Sequence, residues 1–178
     1  MNALLMLWMG AAEPPAELPA ESFIGLPTTV QTQAVQDERG VGVEMSFAVA
    51  AEPEVVIAAL WADDNFQAVF PSVVASSVLS ETETTKTLQL TERYMGIETS
   101  YVLVLSREPG KLSYVQGPEE RTKMAGEIVA SPLGQGASRV TYTGTADMGW
   151  MVPDKMMIQA MQDMAPQIAA NLRALVAS

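Results

Sequence analysis

The side chains able to do chemistry in this chain are few, and they fall in strands or on one helix. Among 178 residues there is no His and no Cys. That removes imidazole general bases, Ser–His–Asp triads, thiolate nucleophiles, disulfides and nearly all zinc or iron sites. Proton transfer is left to Tyr, Asp, Glu, Lys and Arg. The tyrosines, Tyr94, Tyr101, Tyr114 and Tyr142, all lie in strand-like runs. Tyr94, Tyr114 and Tyr142 share the parity of neighbouring apolar residues, which turns their hydroxyls toward a covered face. A buried hydroxyl needs a partner, so these groups either orient a polar ligand head or reach backbone at a rim. Glu92 keeps step with Leu90 and Tyr94. Facing inward, its carboxyl would be pushed up by burial and become a general acid–base candidate; a bulge near Gly96 would turn it outward. Glu92 is the single weak catalytic candidate, and no other catalytic residue is named.

Other chemistry finds no support. There is no phosphate-binding glycine loop, dinucleotide fingerprint or metal-ligand cluster, so neither cofactor nor metal is expected. Asp63 and Asp64 are adjacent, which suits a helix cap better than a converging metal site. Arg93 has the outward parity, and Arg121 and Lys123 precede a strand at the surface or mouth. Net charge is −11, from 21 acidic against 10 basic residues. Nucleic acid and anionic membrane surfaces are bound mainly through Lys and Arg, so both are disfavoured as partners.

Methionine is the other informative residue, with 12 in the chain. From Pro153 to Val176 the spacing predicts one long helix, with Met157, Met161, Met164, Ile168, Leu172 and Leu175 along one face. Burying each such side chain is worth about 1.5–3 kcal/mol, so this face must be covered. Methionine is flexible and polarisable and suits irregular apolar partners; the same stripe also serves as ordinary core filling, and both readings stand. Pro166 removes a helical hydrogen bond and predicts a kink near Gln162 to Ala165.

The elements that position these residues are strands. Val41 to Val49 sets Val41, Val43, Met45, Phe47 and Val49 against small or polar residues, a period of two. A helix follows over Ala51 to Ala62, with Pro53 in its first turn and Val56, Leu60 and Trp61 buried. A short second helix covers Phe66 to Phe70 and stops at Pro71. Strand-like runs then cover Val73–Ser80, Thr85–Met95, Thr99–Arg107, Lys111–Gln116, Met124–Ser131 and Arg139–Ala146. The short links between them require antiparallel pairing. Seven strands result. Thr29 to Gln36 is only mildly alternating, and Asp37 to Gly40 reads as a turn.

The length suits one domain. Residues 1–12 resemble the apolar core of a secretory signal, with Gly10 and Ala12 at a possible cleavage site but no Lys or Arg ahead of them; the alternative is an apolar arm packed on the domain. Residues 13–27 hold Pro14, Pro15, Pro19 and Pro27 and read as an arm or linker. Residues 28–178 form the domain. A cleaved signal would place it in the periplasm or outside the cell; without one it would be cytoplasmic.

The order β-α-α followed by six strands and a helix is that of a helix-grip α+β fold. The stretch Val55-Val-Ile-Ala-Ala-Leu-Trp61, with Asp63, Asp64 and Phe70-Pro71, resembles the START/Bet v 1-like (SRPBCC) superfamily, in its polyketide cyclase/dehydrase and lipid-transport branch. Ser76 to Leu79, Gly126 to Gly134, Gly136 to Tyr142 and Asn171 to Leu175 match the same pattern in order. The resemblance implies a cavity between a curved sheet and the C-terminal helix, holding a lipid, sterol, quinone or polyketide, and no universal catalytic residue. On that basis the cavity is expected to be lined by Leu90, Tyr94, Tyr101, Leu103, Tyr114, Ile128, Tyr142, Met157, Met161, Met164 and Ile168. The expected role is non-enzymatic binding or transport of a hydrophobic small molecule, touching membranes only transiently for exchange. The alternatives are a cyclase/dehydrase-type enzyme using the same cavity, or an interaction module whose cavity has collapsed. Oligomeric state is left open.

Overall fold

The computed structural model describes residues 29–62, 65–94, 96–117, 123–147 and 152–177, and of Tyr94 and Ile97 the backbone only. The signal-like segment, the proline-rich arm and the Asp63–Asp64 pair therefore lie outside the described residues.

The elements run β1 (Gln31–Asp37), β2 (Gly40–Val49), α1 (Pro53–Trp61), α2 (Asn65–Val69), β3 (Val73–Glu81), β4 (Thr85–Tyr94), β5 (Ile97–Glu108), β6 (Lys111–Gln116), β7 (Lys123–Gly134), β8 (Ala137–Asp147) and α3 (Asp154–Val176). All pairings are antiparallel, in the order β1-β2-β8-β7-β6-β5-β4-β3, and the sheet stays open with β1 and β3 as edges. The fold is the α+β helix grip expected, with one correction: it has eight strands, not seven. β1 pairs with β2 from Gln31↔Ser46 to Asp37↔Gly40. Its sequence, QTQAVQD, is polar on both faces because an edge strand is mostly exposed. Backbone pairing, not apolar alternation, makes it a strand.

The inward face of β2 is the predicted one: Val43, Met45, Phe47 and Val49 are buried. α1 starts on Pro53 with Glu54 in its first turn, where the free N–H groups favour negative charge. It buries Val56, Ile57, Leu60 and Trp61. The Ser138 hydroxyl donates to the Ala51 carbonyl at 2.6 Å, tying the entry of α1 to β8. Lys86, 3% exposed, points inward from β4 and donates to the Trp61 carbonyl at 2.6 Å, so this buried cation serves the end of α1.

α3 packs across the inner face, chiefly on β2 and α2. Ala165 and Ala169 let its backbone approach closely, and Ile168 and Leu172 complete the buried stripe. α3 is a single helix that runs through Pro166, which lies on its exposed side. Arg173 donates to the Ala48 carbonyl at 2.9 Å, and Asn171 donates to the Val69 carbonyl at 3.2 Å. These two bonds fix the end of α3 to β2 and to the end of α2.

Candidate functional site

The interior is divided along the strand axis. Toward one end the inward side chains Phe47, Leu88, Leu90, Leu103, Leu105, Leu112, Ile128 and Val140 are buried in the core and none of them borders the cavity. Toward the other end they stand apart from α3 and leave a cavity of about 200 Å³. Its wall is mostly apolar, and its polar groups form a belt across the sheet.

α3 supplies the apolar side. Met157, Met161, Met164 and Ile168, all four on the methionine-rich stripe, line the cavity, while Met156 lies off the stripe and is exposed. The stripe thus does both things its spacing allowed: Met157, Met161 and Met164 face open space, Leu172 is buried, and Ile168 is buried where it borders the cavity. Met45 of β2 and Met124 of β7 face the cavity from the sheet. Five methionines therefore share one space, which gives it a wall of adaptable shape.

The polar belt begins in the link between α2 and β3. Ser72 donates its hydroxyl to Glu92 at 2.9 Å, and the Ser72 carbonyl accepts from the Arg93 backbone at 2.8 Å. Glu92 pairs with Val73 where the β3–β4 register slips, and with Thr99 in a regular β4–β5 ladder. Its side chain faces the cavity, with Thr99 and Tyr101 beside it. No bulge in the β4–β5 ladder turns it outward.

Tyr101 is buried, and its pKa is raised, first by burial and then by the charge of Glu92 and a hydrogen bond to that carboxyl. Tyr114 and Tyr142 share a hydroxyl–hydroxyl hydrogen bond of 2.7 Å, in which either can donate. Burial drives Tyr114 well above the ordinary tyrosine range, with the neighbouring Tyr142 adding to it. Burial pushes Tyr142 up to about 12; the Tyr114 bond pulls it back, and Glu92 pushes it further up. All three rings are therefore neutral hydrogen-bonding groups near neutral pH. Phe70 packs on Tyr142 with ring centroids 5.9 Å apart and closes the α2 side.

Of the residues expected to line the cavity, Tyr101, Tyr114, Tyr142, Met157, Met161, Met164 and Ile168 do so. Leu90, Leu103 and Ile128 are not among its lining residues and are buried, at most 2% exposed. Their parity is inward as expected, but parity carries no information on depth along the strand. The side chain of Tyr94 lies outside the described residues. Met45, Phe70, Ser72, Thr99, Met124, Gly144, Thr145, Ala146 and Val152 also border the cavity and were not named from sequence. Met45 had the visible signal, an inward position in an alternating strand. Ser72 and Phe70 lie in a link, where no period points a side chain anywhere.

Among the described residues no cluster of acidic side chains could hold a metal ion, and no helix is long and apolar enough to cross a membrane.

An open antiparallel sheet gripping a C-terminal helix over an apolar cavity defines a START-like domain. The chain belongs to the polyketide cyclase/dehydrase and lipid transport family, whose profile matches residues 41–177. Solved structures share the fold. The STAR-related lipid transfer protein from Xanthomonas axonopodis superposes with a TM-score of 0.71 at 16% identity, over 84% of this chain and 94% of that one. Human StAR-related lipid transfer protein 5 gives 0.67 at 13% identity, over 86% and 84%. The Zhui aromatase/cyclase from Streptomyces sp. R1128 gives 0.58 at 15% identity, over 82% and 92%. No curated protein sequence matches significantly.

Proposed function

We propose that this domain binds and carries a hydrophobic, lipid-like small molecule without transforming it. The observation that carries the reading is the cavity itself: three methionines of α3 face open space, and the polar groups opposite are confined to one belt on the sheet. Such a wall desolvates an apolar body and fixes one polar head. The lipid-transfer proteins among the structural neighbours support the same reading. The apolar run at residues 1–12 supports a working compartment outside the cytoplasm.

Native mass spectrometry of gently purified protein, followed by organic extraction, tests this. The expected result is an apolar adduct that leaves with the solvent and rebinds unchanged. Protein that carries no adduct and also fails to bind an environment-sensitive apolar dye would overturn the proposal.

One observation keeps a second reading. Glu92 faces the cavity beside Tyr101 and Ser72, an acid next to neutral hydroxyls, which is a constellation able to move protons in a cyclase/dehydrase-type reaction. An aromatase/cyclase is among the structural neighbours. Recovery of the bound molecule in altered form, with the alteration abolished by Glu92→Gln, would select this reading. A collapsed-cavity interaction module has no support from an interior with about 200 Å³ of open space.

A further inference from the structure

The cavity's polar belt has a sign. Among the described residues that line it, Glu92 is the only acidic side chain, and no Lys or Arg is among them. A carboxylate offers about four lone-pair sites. Ser72 occupies one at 2.9 Å, and Tyr101 lines the cavity with it. The remaining acceptor capacity lies against the cavity. The other hydroxyl-bearing residues that line it are Thr99, Tyr101, Tyr114, Tyr142 and Thr145; Tyr114 and Tyr142 bond to each other, and Thr145 donates to Asp37.

From this arrangement we infer that the site selects ligands with an uncharged, hydrogen-bond-donating head, such as an alcohol or a phenol, and discriminates against carboxylates. A ligand hydroxyl can donate to Glu92 and satisfy its free lone pairs. A fatty-acid carboxylate cannot donate to the Glu92 oxygens, and among the described lining residues it finds no cationic partner to offset its loss of water; a charge in an apolar site persists only when paired. Size adds a second restriction. About 200 Å³ is close to engineered apolar cavities of ~150 Å³ that take benzene, and below the ~300–1,000 Å³ of drug-sized pockets. The body of the ligand is one ring or one short chain.

The inference rests on the reading of the cavity as a ligand site, and its test separates the two. Binding of 1-octanol and of octanoate, which share chain length and differ in head, is measured by displacement of an apolar dye at neutral pH. In the unaltered protein octanol should bind at least about tenfold more tightly, a difference equal to ~1.4 kcal/mol. In Glu92→Gln the ratio should fall below about threefold, mainly through tighter octanoate binding. The whole-protein charge of −11 changes by only one in this variant, so a general surface repulsion would leave the ratio almost unmoved. Octanoate binding as tightly as octanol to the unaltered protein overturns the head-group selection while leaving the cavity reading intact. A ratio that survives Glu92→Gln overturns the assignment to Glu92. Binding of neither compound, with no dye binding to displace, overturns the cavity reading itself. Should Glu92→Gln fail to fold, the octanol-to-octanoate ratio of the unaltered protein still decides the selection.

Discussion

The hydroxyls of Tyr114 and Tyr142 meet at 2.7 Å over a floor made by Gly126 and Gly144, which are directly paired across β7 and β8. A Cβ on Gly144 would lie 2.5 Å from both hydroxyl oxygens, and one on Gly126 would collide with the Tyr114 ring tip and the Thr143 carbonyl. The two glycines are thus required by the tyrosines. Absence of a side chain on two neighbouring strands lets two long rings lie down on the sheet, which leaves space between them and α3.

Replacing either glycine with alanine should therefore displace the tyrosine pair into the cavity. Overpacking of this kind costs ~1–3 kcal/mol. Urea denaturation of Gly144→Ala should show that loss, and apolar dye binding should weaken with it. Pairing Gly144→Ala with Tyr114→Phe and Tyr142→Phe should recover part of the stability, since the two shortest contacts are with the hydroxyl oxygens, while the Tyr142 ring carbon at 2.9 Å remains.

The tyrosines also predict an alkaline limit. Tyr142 is held up to about 12 against an ordinary value of 10.0, and Tyr101 and Tyr114 are also raised. A raised folded-state pKa means that the unfolded chain releases its proton first. The resulting stability is complete below pH 10 and is lost as pH rises through about 12. Tyrosinate absorbance should show these rings silent at the pH where the denatured chain titrates. Tyr142→Phe should flatten the alkaline fall in unfolding free energy.

Met161 separates packing from binding. It is only partly buried and borders the cavity. Met161→Trp should fill that space, weakening dye binding by about tenfold or more while changing stability by less than ~1.5 kcal/mol, because the volume goes into a void. If the methionine were core filling, the same change would unfold the protein by overpacking. Urea midpoints and dye titration together read out the difference.

Pro166 lies inside α3 on its exposed side. Proline in a helix interior costs up to ~3 kcal/mol relative to alanine, through its missing N–H and its ring. Pro166→Ala should raise the thermal midpoint. If this turn is where α3 opens to admit ligand, the variant should also slow dye release in stopped-flow mixing. Unchanged release with raised stability would assign the proline no part in exchange.

Much of this architecture can be read in the chain because its periods are physical. Val41 to Val49 alternates because one face of β2 is buried, and Met157 to Leu172 recurs every three or four residues because one stripe of α3 must leave water. The absence of His and Cys removed whole classes of chemistry outright. β1 escaped notice because its hydrogen bonds to β2 are made by backbone, which leaves no pattern in side-chain type.

What only the tertiary structure decided is depth. Leu90 and Glu92 have the same parity, yet Leu90 is sealed in the core and Glu92 faces the cavity. Met164 and Ala165 are adjacent in α3, yet one borders open space and the other touches the sheet. Alternation states which side of a sheet a residue faces. Where along that side the helix stands close, and where it stands off, depends on residues far apart in sequence: the alanines of α3, the Gly126–Gly144 floor, and the Ser72 and Phe70 link laid against the end of β4. Those contacts exist only once the chain has folded, so the cavity they leave could be expected from the sequence but not located by it.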